Sequence, residues 1–117
     1  MKTLIRCAIY TRCPDEDVQY ARQEGEAYVR QHATEGWVAL VKRYDDPGAS
    51  GRSLLRPGLA ILLRDIAGHR VDCVVVLDAA RLTRDSAVFL SMCNYSANYG
   101  VKLAFYAESA EPAGENP

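Results

Sequence analysis

The apolar positions of this chain alternate between two spacings. Leu4 to Tyr10 forms a short apolar run interrupted by Arg6, which predicts a first strand. From Asp15 to about Glu35 the residues Val18, Ala21, Gly25, Tyr28, Val29 and His32 recur at helical spacing and predict an amphipathic helix. Asp15, Glu16 and Asp17 would crowd its first turn, where the helix dipole favours acids, and Gly36 would end it. Trp37 to Tyr44 reads as a second strand. Asp45 to Leu55 holds Pro47, Gly48, Ser50, Gly51 and Ser53 and reads as a loop. Pro57 suits the first turn of a short helix with Leu59, Leu62, Leu63 and Ile66 as its stripe, stopped by Gly68. Asp72 to Leu77 is a continuous apolar run, the pattern of a strand covered on both faces. A third helix spans Asp85 to Tyr99 before Gly100, and a fourth strand spans Val101 to Tyr106. Glu108 to Pro117 is polar, with Pro112, Gly114 and Pro117, and is expected to be a disordered tail or the start of a linker.

Strand–helix alternation of this kind predicts an α/β domain over residues 1–107. A mainly parallel central sheet of about four strands would carry helices on both faces, giving three layers. In such a sheet, ligands bind outside the carboxyl ends of the strands. Three loops fall on that edge: Thr11–Asp15, Asp45–Leu55 and Asp78–Asp85. Arg12 follows the first strand, Arg81 and Arg84 follow the third, and Arg56 stands just before a helix N-terminus, itself an anion-favouring position. A guanidinium offers a rigid fork of donors that fits phosphate. A lone arginine of this kind is as often a surface or capping residue. Several converging on one edge point to a phosphate or phosphodiester.

Composition narrows the picture modestly. Of 117 residues, 49% are hydrophobic and 25% charged, with a formal net charge of −1, which argues against a broad basic face that coats nucleic acid. The tail from Glu108 holds three acids and no base, so residues 1–107 carry 14 basic and 12 acidic side chains. Eleven of the basic residues are arginine, a bias equally expected from bidentate anion recognition or from arginine-rich codon usage. Cys7, Cys13, Cys73 and Cys93 have no metal-ligand spacing and no histidine partner nearby, so neither a zinc site nor any other metal or cofactor is expected. Reduced cysteines fit a cytoplasmic protein. No signal peptide or membrane-length apolar run is present in these residues. Asp45 and Asp46 could ligate a metal in principle, but two adjacent carboxylates more often belong to a solvated turn. No phosphate-binding glycine loop, dinucleotide fingerprint or nucleophile elbow occurs. His32 and His69 have no obvious nucleophile to serve.

Four spaced motifs nevertheless occur in order. The first strand ends in Tyr10-Thr11-Arg12. Gly36-Trp37 opens a strand leading to Tyr44, Asp46, Gly48, Ser50 and Gly51. Arg56-Pro57-Gly58-Leu59 precedes Leu62-Leu63 and Asp65-Ile66. Val74-Val75-Val76 leads to Arg81-Leu82-Thr83-Arg84-Asp85. Together, over roughly residues 4–107, they resemble the catalytic domain of the serine site-specific recombinases: resolvases, invertases and large serine integrases. The resemblance implies site-specific DNA recombination through a covalent phosphoserine link, without a metal. It implies phosphate-handling roles for Arg12, Arg56, Arg81 and Arg84, with Ser50 as the loop serine and Tyr10 and Asp46 in support.

Two positions depart from the family pattern. The family nucleophile falls at Pro14, which has no hydroxyl, and the carboxylate before the first arginine of the last motif falls at Ala80. Asp78 lies two residues away, where the family often has lysine. The expectation is a recombinase-like domain that keeps its arginine cluster and has lost strand cleavage. Two alternatives stay open. One is an active fragment using Cys13, Ser50 or Ser53 as nucleophile. The other is a non-enzymatic module that regulates an intact recombinase. DNA is the expected partner, held weakly in this fragment, with a homo-oligomer or an intact recombinase as further partners and no membrane association.

Overall fold

The computed structural model describes residues 4–12, 17–40, 42–46, 57–76 and 86–105. Strand β1 (Ile5–Thr11) leads to helix α1 (Val18–Gln31), and a single 3-10 turn (Ala33–Glu35) follows. Then come β2 (Trp37–Ala39), β3 (Tyr44–Asp45), α2 (Pro57–Ala67), β4 (Cys73–Val76), α3 (Ser86–Asn98) and β5 (Lys102–Phe105). The strands pair in parallel in the order β2-β1-β4-β5, with β3 also on β1. This is the expected mainly parallel α/β sheet, with five strands.

The fifth strand arises because the expected single strand Trp37–Tyr44 is broken. Ile5 faces Trp37 and Tyr10 faces Tyr44, so five steps along β1 match seven along its partner. The pairing register against β1 therefore shifts by two residues between β2 and β3. A surplus of one would turn every later side chain to the opposite face, whereas two preserve the alternation. Tyr44 therefore stays on the same face as Tyr10, and both rings are fully buried.

Strand alternation divides the core in two. Cys7, Cys73, Val75 and Ala104 gather with Val29 of α1 and Trp37 on one face. Ala8, Tyr10, Tyr44, Val74 and Val76 gather on the other with Leu59, Leu62 and Ile66 of α2 and Met92 of α3. All four residues of β4 are buried, as a strand with helices on both sides requires.

The helix ends follow sequence cues with some shifts. Helix α1 begins at Val18, so Asp17 stands at the N-cap rather than in the first turn, and its side chain makes no capping bond. Asp15 and Glu16 lie outside the described residues. The helix ends at Gln31 instead of running to Glu35, because the chain tightens into the 3-10 turn before Gly36 takes a left-handed φ of 92°. Gly100, with φ 72°, closes α3: Val101 N–H reaches Ser96 O at 2.8 Å and Gly100 N–H reaches Ala97 O at 3.0 Å. Helix α2 ends in the same two-bond pattern, with Arg70 N–H to Asp65 O at 2.9 Å and His69 N–H to Ile66 O at 3.0 Å. There the left-handed residue is His69, with φ 58°.

Candidate functional site

Because every strand pairing is parallel, β1, β3 and β4 end on one edge of the sheet. Tyr10 is the penultimate residue of β1, and its ring lies in the core while its hydroxyl donates to Asp46 Oδ2 at 2.8 Å. Asp46 follows β3, and its backbone N–H bonds Thr11 O at 2.9 Å, extending the β1–β3 ladder. The same carboxylate accepts the Gly58 N–H on Oδ1 at 2.7 Å and the Leu59 N–H on Oδ2 at 2.8 Å. Asp46 thus caps the N-terminus of α2 from a different part of the chain. The first-turn amides of a helix have no intrahelical partner, and a carboxylate there also meets the positive end of the helix dipole.

This corrects two expectations. Asp46 is neither a solvated turn residue nor an available metal ligand, since it is 4% exposed and both oxygens are occupied. The N-terminus of α2 is also not wholly open to an external anion, because Asp46 already fills two of its amides. Among the described residues, no group of three or more histidine, cysteine or acidic side chains is placed to hold a metal.

The close approach depends on glycine. A Cβ on Gly58 would stand 2.7 Å from Asp45 O and 3.0 Å from Asp46 Oδ1. Real Cβ atoms do not come so near a backbone oxygen, so glycine is required for α2 to seat against β3. Thr11, also buried, donates its hydroxyl to Asp45 Oδ1 and ties the same two strand ends together.

Of the residues singled out from the sequence, Tyr10, Asp46 and the start of α2 are brought into direct contact. Arg12 comes immediately after β1 on this edge and is half-buried. Arg56 directly precedes Pro57, the first residue of the capped helix. Strand β4, which precedes Arg81 and Arg84 in the sequence, ends on the same edge. Cys13, Pro14, Ser50, Ser53, Arg56, Asp78, Ala80, Arg81 and Arg84 themselves lie outside the described residues.

Sequence reasoning missed a second carboxylate that fastens α2. Asp65 is 1% exposed and accepts the Tyr44 hydroxyl at 2.7 Å and Lys42 Nζ at 2.9 Å on Oδ2, with Arg70 at 3.4 Å on Oδ1. Burial pushes its carboxyl up, but the bonds from Lys42, Tyr44 and Arg70 outweigh this and hold it below the usual range. Burial and the Asp65 carboxylate push the Tyr44 phenol well above its ordinary value. A signal was present: an acid standing inside the stripe Leu59, Leu62, Ile66 has to find a buried partner. Helix α2 is therefore tied at both ends by Tyr–Asp pairs, Tyr10–Asp46 at its start and Tyr44–Asp65 near its finish. The two tyrosines are register partners on β1 and β3.

The protein-family model described as the resolvase N-terminal domain matches residues 7–116. Among solved structures, the C-terminal catalytic domain of ISC1926 TnpA, an IS607-like serine recombinase, is 30% identical with a TM-score of 0.70, covering 87% of this chain and 70% of that one. The N-terminal catalytic domain of TP901-1 integrase is 28% identical with a TM-score of 0.71, covering 89% of this chain and 78% of that one. A resolvase-family site-specific recombinase from Streptococcus pneumoniae, 23% identical with a TM-score of 0.68 over 96% of this chain and 78% of its own, shares the fold. No curated protein matches the sequence significantly. With a family match across most of its length and a serine recombinase sharing both sequence and fold, the chain belongs to the resolvase N-terminal domain family, that of the serine recombinase catalytic domains.

Proposed function

We propose that this domain, spanning residues 1–107 with a polar tail after it, grips a DNA phosphodiester at the carboxyl edge of its sheet and does not cleave it. The observation that carries the reading is the contrast between an intact scaffold and a missing nucleophile. The Tyr10–Asp46–Gly58/Leu59 network fixes β1, β3 and α2 against one another, and β1 delivers Arg12 beside it. Arg56, Arg81 and Arg84 supply further guanidinium forks in the adjoining segments of the sequence, with Ser50 between β3 and α2. Two residues after Arg12, where the attacking serine of this family belongs, the chain has Pro14, and Ala80 replaces the acid before Arg81. Proline has no hydroxyl to attack phosphorus. Binding that rests on a few phosphate contacts is weak and falls steeply with salt.

The test uses a DNA duplex carrying the recombination half-sites of a related element, with protein–DNA adducts resolved on denaturing gels. The wild type is expected to give no adduct, and Pro14→Ser/Ala80→Asp to gain one. A covalent adduct from the wild-type chain overturns the reading. If that adduct vanishes in Cys13→Ala, the thiol is the nucleophile.

A further inference from the structure

Cys7 and Cys73 are direct register partners on β1 and β4, the central pair of the sheet. Both side chains leave the same face and lie in one core cluster under α1, at 0% and 1% exposure. Both are free thiols. The Cys7 thiol donates to Ile5 O, with Sγ 3.4 Å from the oxygen. Strand spacing of about 4.8 Å brings paired Cα atoms within the range that a disulfide spans. Cβ atoms on one face of a parallel pair stand about as far apart as the strands, slightly beyond the usual disulfide separation of about 3.5–4.5 Å. A bridge here would draw β1 and β4 together and carry strain, and strained disulfides are the easily reduced ones.

We propose that Cys7 and Cys73 form a redox-active dithiol, which a hydroperoxide converts into a reversible β1–β4 disulfide. Cys7 is the first nucleophile once it loses its proton: the neighbouring Cys73 holds the Cys7 thiol below the ordinary range, while Cys7 and burial push Cys73 up. The Cys7 thiolate attacks one peroxide oxygen. The O–O bond breaks, hydroxide leaves, and Cys7 becomes a sulfenic acid. Cys73 sulfur then attacks Cys7 sulfur and displaces that hydroxyl group, and the two thiol protons end on the two departing oxygens as water. Two thiols are oxidised and one peroxide is reduced. Both thiols are buried with Val29 of α1 in this cluster, so oxidation proceeds through a local outward movement of α1 that admits the peroxide. The bridge would tie together the strand that delivers Arg12 and the strand that leads to Arg81 and Arg84.

The experiment treats the folded full-length chain with hydrogen peroxide, alkylates the remaining thiols and digests with trypsin. Cleavage after Arg6, Arg12, Arg70 and Arg81 places Cys7, Cys13 and Cys73 in separate peptides. The expected product joins peptide 7–12 to peptide 71–81, two hydrogens lighter than their sum, and is lost on treatment with dithiothreitol. It should also form in Cys93→Ala. In Cys73→Ala, dimedone should instead trap a sulfenic acid at Cys7. The proposal is overturned if Cys7 and Cys73 are recovered reduced while Cys13 or Cys93 is oxidised, or if Cys7 pairs with either of those. It is equally overturned if the 7–73 bridge forms only after the chain is unfolded in urea, and the wild-type mapping decides the matter even if Cys73→Ala fails to fold.

Discussion

Replacing Asp46 tests whether a carboxylate from one strand end fastens a helix from another part of the chain. Asp46→Ala removes the carboxylate that accepts from three buried donors: the Tyr10 hydroxyl and the Gly58 and Leu59 amides. A buried donor left without a partner costs about 1–3 kcal/mol. The losses overlap, because the helix start can relax toward water, so a total of about 3–5 kcal/mol is expected, as for other broken buried polar networks. Asp46→Asn is no conservative change here. One oxygen accepts Gly58 and the other accepts Leu59, so either orientation of the amide turns its NH2 toward a backbone N–H. That clash sets a loss of about 2–3 kcal/mol. Tyr10→Phe leaves the carboxylate with both amides and should cost about 1 kcal/mol. The predicted order of loss is Asp46→Ala, then Asp46→Asn, then Tyr10→Phe. Urea unfolding with an unchanged m-value measures it, and thermal midpoints should fall by about 4 °C per kcal/mol. If Asp46→Ala costs less than about 0.5 kcal/mol, the level of an ordinary surface change, the fastening argument is wrong.

Three further predictions follow from neighbouring features. Gly58→Ala should destabilise by about 1–3 kcal/mol despite alanine's better helix propensity, because its Cβ meets the Asp45 carbonyl, and a variant more stable than wild type would contradict the seating of α2. Asp65 and Asp72 are both held below the usual carboxylate range, Asp65 against the opposing effect of burial and Asp72 chiefly by its bond to Arg6. Their contribution is therefore present above about pH 4 and is lost as pH falls through the depressed folded values; Asp65→Asn should flatten this acid loss in urea titrations, and an unchanged slope would count against it. At position 69, His69→Val should be about 1–2 kcal/mol less stable than His69→Gly by calorimetry, because φ 58° excludes a β-branched residue, and equal stability would show that the left-handed turn is not maintained.

Periodicity alone determined the layered α/β architecture. The continuous run Cys73–Val76 could only be a strand covered on both faces, and the stripe Leu59, Leu62, Ile66 could only be one face of a helix, because side-chain direction follows local backbone geometry. The recombinase resemblance was also legible, since Tyr10, Arg12, Asp46 and the Arg56-Pro57-Gly58 segment keep a family order along the chain. So was the presence of Pro14 two residues after Arg12, where the resemblance implies a serine. What Asp46 and Asp65 do was decided only in three dimensions. Their partners lie 36 and 12–13 residues away for Asp46, and 21–23 residues away for Tyr44 and Lys42 on Asp65. No local pattern encodes such pairings. The break between β2 and β3 was hidden for the same reason: its two extra residues preserve the apolar alternation, and only pairing against β1 exposes the slip. The juxtaposition of Cys7 with Cys73 likewise depends on strand register, which is set by how the whole sheet closes rather than by either strand.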